Sequence, residues 1–207
     1  MKKILIIIAI SCVFILSGCI NTKEARKELI EAVNSAEEHL AELSKDGYLE
    51  DNVYYYPDIN IKFVFPDNLR FLTDKEINEL VYGSSERPSD VDNNVQYEFF
   101  AINMDDSSTI VLTSDTPNSD ISIDDYVNNF YKTAVANSEI QGTDVSEAEN
   151  CEICGQNYFK IRSIILKNGR CIDSYITKND AKFICIQIMR NSDEQIDEYL
   201  SLIQAIE

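Results

Sequence analysis

Residues 158–189 read YFKIRSIILKNGRCIDSYITKNDAKFICIQIM, three apolar-rich segments punctuated by turn residues. Tyr158 to Lys167, Arg170 to Thr177 and Lys182 to Met189 carry the β-branched and aromatic residues that strands favour. Asn168-Gly169 between the first two is a strong short hairpin signal, because both positions of a tight two-residue turn take positive φ. Asn179-Asp180 supplies the second turn, which would set Cys185 opposite Ser174. Strands joined by such short turns are antiparallel. In the third, Ile184, Ile186 and Ile188 alternate with Phe183, Cys185 and Met189, so both faces are apolar and the strand belongs at the centre of its sheet.

Reading outward, Ser192 with Gln195 three residues on has capping-box spacing and predicts a helix whose Ile196, Tyr199, Leu200, Ile203 and Ile206 face inward. Upstream, Ser122 and Asp125 start a helix to Asn137 with Ile123, Tyr126, Val127, Phe130 and Ala134 on one face. Gln96 to Asn103 and Ser108 to Thr113 form a strand pair across the acidic turn Met104-Asp105-Asp106. Gly83 to Asn94 is the longest loop signal, and Thr73 with Glu76 caps a helix to Val81. Val53 to Tyr56 and Ile59 to Phe65 are strands around Pro57-Asp58. The order is strands and helices interleaved through hairpins, which predicts an α+β fold with helices packed on an antiparallel sheet.

The N-terminus carries an address. Lys2 and Lys3 precede the uncharged run Ile4 to Leu16, the pattern of an export signal, and the run is short for a membrane span. It ends in Leu16-Ser17-Gly18-Cys19, which resembles the lipobox of prokaryotic lipoproteins. That resemblance implies cleavage before Cys19 and a lipid on its thiol, a two-chain anchor strong enough for stable attachment. The chain is then expected on the outer face of the cytoplasmic membrane or at the cell surface. Thr22 to Lys45 follows as a helix with Leu29, Val33, Ala36, Leu40 and Leu43 in a narrow stripe, either a stalk or a helix lying on its own domain. The expected organisation is a signal peptide over 1–18, a lipidated cysteine with helical stalk or linker over 19–49, and an α+β domain over 50–207.

Tyr55-Tyr56-Pro57 leading into Ile61-Lys62-Phe63-Val64-Phe65-Pro66, the helix from Ile123 to Val135, and Cys154-Gly155-Gln156-Asn157-Tyr158 before a meander and a terminal helix together resemble the PsbP/Mog1-like domain found in many prokaryotic lipoproteins. The likeness spans roughly residues 53–206. It departs from the pattern after the first strand's proline, where a tryptophan often stands and this chain has Leu69 and Phe71 nearby and no tryptophan at all. The resemblance implies a non-enzymatic binding or assembly module.

Composition narrows the partners. Eighteen Lys and Arg against 36 Asp and Glu give a net charge of -18, which repels the phosphate backbone and excludes a nucleic-acid partner. Residues 50–150 hold 5 basic and 21 acidic side chains, while residues 151–207 hold 7 and 8, so the excess lies in the first two thirds of the domain. Asp90, Asp92, Asp105, Asp106, Asp115, Asp120, Asp124 and Asp125 lie in loops or at a helix start, without the spacing of a calcium loop. They read as solvated carboxylates.

Cys151, Cys154, Cys171 and Cys185 are candidate disulfide partners in an exported domain, with buried free thiols and a four-thiol metal site as the other readings. Cys151 and Cys154 have redox spacing, but a strand rather than a helix N-terminus follows them. His39 is the only histidine, the isolated glycines cradle no phosphate, and no nucleophile stands with a base. No catalytic residue, metal or cofactor is expected. The reading is a lipid-anchored binding or assembly module for an envelope protein or a basic ligand, with a small-solute or cation-binding accessory of an envelope transporter as the second reading.

Overall fold

A computed structural model describes residues 46–87 and 94–206. The signal sequence, Cys19, the helix over 22–45 with His39, and Asp90 and Asp92 in the long loop lie outside the described residues. The domain unit starts at Asp46, and its first strand opens at Tyr48, ahead of the composition change at Glu50.

The strands are β1 (Tyr48–Glu50), β2 (Val53–Tyr56), β3 (Ile61–Val64), β4 (Leu69–Phe71), β5 (Val95–Asn103), β6 (Thr109–Asp115), β7 (Thr143–Val145), β8 (Glu149–Ile153), β9 (Gln156–Ile165), β10 (Arg170–Asn179), β11 (Lys182–Arg190) and β12 (Ile203–Ala205). The helices are α1 (Asp74–Tyr82), α2 (Ile123–Gln141) and α3 (Ile196–Ser201). Every strand pairing is antiparallel, and the fold class is α+β.

The large sheet runs β4-β5-β6-β11-β10-β9-β7, with β8 also paired to β9. β11 sits in the middle, as its two apolar faces require. One face of this sheet takes Val127 of α2 against Ile161, Ile176 and Cys185. The other face is covered by a second, four-stranded sheet, β1-β2-β3-β12. Tyr54, Tyr56, Ile61 and Phe63 from the small sheet form one core with Phe99, Ala101, Leu112, Ile184, Ile186 and Ile188. Phe99 stands edge-on to both Tyr54 and Phe63, with ring centroids 4.8 and 4.9 Å apart, a favourable aromatic geometry.

Local signals explain most boundaries. The Thr73 side chain accepts from Glu76 N–H and the Glu76 carboxylate accepts from Thr73 N–H, a closed capping box. With Arg70 donating to it at 2.8 Å as well, the Glu76 carboxyl is held down at about 2. Ser122 caps α2 by accepting from Asp125 N–H.

Three expectations are corrected. The turn between β9 and β10 spans four residues, because Ile165 pairs with Arg170; within it Gly169 takes positive φ and Asn168 does not. The β10–β11 turn is Asp180-Ala181, since Asn179 pairs with Lys182, and this sets Cys185 opposite Ile176 rather than Ser174. The C-terminal helix ends at Ser201, and Ile203 to Ala205 instead pair with β3, where Ile203 fills the core as a strand residue.

Candidate functional site

α2 lies across the large sheet beside the segment that leaves β6. The Tyr126 ring stacks on Phe183 with centroids 3.9 Å apart and planes 3° apart, and its hydroxyl donates to Asp115 Oδ2 at 2.9 Å. Burial and the adjacent Asp115 carboxylate raise the Tyr126 pKa, so the phenol stays neutral. These contacts fix the wall of an open groove of about 670 Å³ between α2, the start of β5 and the 116–121 segment.

Its lining is a floor of Phe130, Ile121, Pro117 and Ala134 beside the polar side chains of Asn118, Asn129, Thr133 and Asn137. Among the lining residues Asp115 is the one with a charged side chain. The Thr133 hydroxyl donates to the Asn129 carbonyl at 2.9 Å. The side-chain amides of Asn118, Asn129 and Asn137 spend no hydrogen bond on the described protein. Each offers a donor pair and an acceptor to a ligand. On the far side of the 117–121 segment, Lys178 Nζ donates to the Ile121 carbonyl at 2.8 Å, sits 3.6 Å from Asp120 and lies over the Phe183 ring.

Two further polar clusters are sealed in the domain. Glu98 is the extra residue of a β-bulge, where the β5–β6 register shifts between Tyr97 and Phe99, and it is only 1% exposed. Its carboxylate accepts from Ser114 Oγ at 2.7 Å and from Asp46 N–H at 3.1 Å, and Tyr54 Oη stands 3.5 Å away. Burial pushes its pKa up. Asp46 and Gly47 form a strap over this carboxyl: the Asp46 carboxylate pairs with Lys182, and Gly47 lies so close to the Tyr54 ring that a Cβ there would collide with it.

At the other end of the core, Asp173 and Arg190 are both 0% exposed. Arg190 Nη1 and Asp173 Oδ2 face one another as charges without a directed hydrogen bond. Arg162 Nε donates to Asp173 Oδ1 at 2.8 Å, and Arg190 Nη2 donates to Asp193 Oδ1 at 2.7 Å.

The structure carries the four cysteines of the domain as unbonded thiols, Cys151 and Cys154 in the β8 hairpin and the other two on β10 and β11. Cys171 and Cys185 face opposite sides of the large sheet: Cys185 packs under α2, whereas Cys171 pairs across strands with Arg190 on the opposite face. Cys154 and Gly155 are the two-residue turn between β8 and β9, with φ of 53° and 77°. A hairpin, not a helix N-terminus, therefore follows Cys151, and burial raises the pKa of both Cys151 and Cys154.

The acidic residues are also scattered. Asp105 Oδ2 accepts from Asn68 at 2.9 Å, and Asp106 Oδ2 accepts from Ser108 Oγ at 3.0 Å and from Gln195 at 2.8 Å. Among the described residues, no group of three or more His, Cys, Asp or Glu is placed to hold a metal ion. The groove amides and the buried Glu98, Asp173 and Arg190 were not singled out by sequence; the available signals were Asn129 and Asn137 eight apart on a helix, and charges interrupting apolar strands.

No protein-family profile matches the sequence, and no curated protein matches it. Among solved structures the chain is similar to CyanoP, the cyanobacterial PsbP of Synechocystis, with 16% identity over 74% of this chain and 91% of that one and a TM-score of 0.46. It is similar to LpqN of Mycobacterium tuberculosis, described as involved in cell envelope biogenesis, with 13% identity over 69% of this chain and 76% of that one and a TM-score of 0.36. A protein from Bacteroides thetaiotaomicron shares 9% identity over 77% of this chain, with a TM-score of 0.39, and the chain spans half of its length. Among the described residues no helix is long and apolar enough to cross a membrane.

Proposed function

We propose that the chain is a membrane-anchored extracytoplasmic lipoprotein whose α+β domain is a non-enzymatic binding and assembly module for an envelope partner. The observation that carries the binding role is the groove along α2, an open surface whose amides are uncommitted within the described protein. Anchoring rests on Lys2-Lys3, the apolar run and Leu16-Ser17-Gly18-Cys19. A non-enzymatic role accords with the placement of the buried ionisable groups: Glu98 and Asp173 are engaged with their own protein, inside the core.

The test is labelling with a clickable fatty acid and crosslinking in intact cells of the native host, comparing wild type with Cys19→Ser. Label on the wild type alone and a discrete envelope protein captured only with Cys19 intact support the proposal. Label that persists in the variant, or no discrete capture in either strain, overturns the anchor or the partner respectively.

The groove's volume favours one second reading, a small-solute-binding accessory of an envelope transporter, because about 670 Å³ lies within the range of small-molecule sites. A thermal shift of the full chain carrying Cys19→Ser with small neutral solutes, absent in groove variants, supports that reading.

A further inference from the structure

Asn129, Thr133 and Asn137 follow one another at intervals of four on α2 and line the same groove. Four residues of α-helix advance about 6 Å, so the three side chains make a row of hydrogen-bonding groups at that spacing. An extended polypeptide turns a main-chain N–H and C=O toward the same side every second residue, about 6.6 Å apart. The two repeats nearly coincide over three positions. An asparagine amide both donates and accepts, as a main-chain unit requires of its partner, and the Thr133 oxygen still has acceptor capacity after donating to Asn129 O.

Beside this row, Phe130 offers an apolar floor for one set of alternate side chains. The electrostatics select the rest. Asp115 is the one charged side chain of the lining; it spends Oδ2 on Tyr126 and keeps Oδ1 for another donor. Asp124 and Asp125 stand at the start of the same helix, and residues 50–150 carry 5 basic against 21 acidic side chains. An anionic ligand meets repulsion there, and a cationic one meets attraction.

We infer that the groove binds an extended basic segment of a partner polypeptide, its main chain laid along Asn129, Thr133 and Asn137 and a Lys or Arg side chain directed to Asp115. This rests on the binding-module reading and specifies its ligand.

The experiment selects random heptapeptides on the full chain carrying Cys19→Ser, then synthesises the enriched sequences and measures their affinity. Enriched peptides are expected to carry Lys or Arg at a fixed position. Removing one amide, by Asn129→Ala or Asn137→Ala, is expected to weaken binding about 3- to 10-fold, the effect of one net hydrogen bond. Asp115→Asn is expected to weaken binding and flatten its salt dependence. Circular dichroism of each variant checks that α2 is intact.

No enrichment, enrichment without a basic residue, or affinity indifferent to all three variants overturns the assignment. So does a neutral oligosaccharide such as chitotetraose shifting the NMR signals of the groove amides when no peptide does. If Cys19-dependent crosslinking captures a partner while no peptide is enriched, the groove assignment fails and the binding-module reading stands; failure of both experiments removes both.

Discussion

Replacing Asp173 with alanine is expected to cost the domain about 3–5 kcal/mol, the range for breaking a buried ion pair from one side. Asp173 is fully buried and serves two guanidinium groups, Arg162 through Oδ1 and Arg190 through Oδ2. Without it the equally buried Arg190 keeps one carboxylate, Asp193, whose side chain is 61% exposed and so screened by water. Arg162 is itself partly exposed and retains Asp193 at 3.0 Å, so Arg162→Ala is expected to cost nearer 1 kcal/mol. For a domain of this size, 3–5 kcal/mol corresponds to a melting temperature lowered by roughly 6–20 °C. With no tryptophan in the chain, urea unfolding followed by far-ultraviolet circular dichroism is the suitable assay. The double variant Asp173→Leu with Arg190→Leu removes both charges together and is expected to recover most of the loss. A single-variant cost below about 1 kcal/mol, or a double variant no better than the single, would refute the reasoning.

Burial raises the Glu98 pKa in the folded state, so ionising it opposes folding: the penalty is absent below about pH 4, where the unfolded carboxyl is also protonated, grows as pH rises above that, and is complete once pH has passed the folded value. Glu98→Gln, which cannot ionise, is therefore expected to be more stable than wild type at pH 7 and to lose that advantage on acidification; an advantage unchanged with pH contradicts this. Gly47→Ala drives a methyl group into the Tyr54 ring and is expected to cost about 1–3 kcal/mol, with a smaller increment in a Tyr54→Ala background, measured as a double-mutant cycle. Maleimide labelling read by mass spectrometry is expected to modify the exposed Cys154 first and Cys185 only on unfolding, because burial pushes the Cys185 thiol up to about 12.

Long periodic segments were legible because one periodicity ran unbroken through them. β11 announced its central place through two apolar faces, and α1 and α2 through their caps. The three-residue strands β1, β4, β7 and β12 were not legible, since three residues cannot display an alternation. β8 stayed hidden because its Glu149, Asn150 and Glu152 look like loop residues and its turn uses Cys154 in the left-handed position where asparagine is usual. The end of the chain misled for another reason: Ile196, Tyr199, Leu200 and Ile203 fit a helical stripe, and only pairing with β3 turns Ile203 into a strand residue. Glu98 and Arg190 were passed over because their burial depends on a bulge and on remote partners, neither of which leaves a periodic trace.

The pairing of β12 with β3 also bears on how the chain comes to be folded. Ile203 meets Phe63 and Ala205 meets Ile61, so a strand near the beginning of the domain waits for a partner that follows it far along the chain. Until β12 is available, β3 has an unsatisfied edge and the shared core lacks Tyr199 and Ile203. Contacts this distant along the chain slow folding, and a chain emerging N-terminus first cannot complete this core until β12 has followed. A chain threaded N-terminus first through a narrow passage would thus remain pliable until β12 had come through and could close on β3.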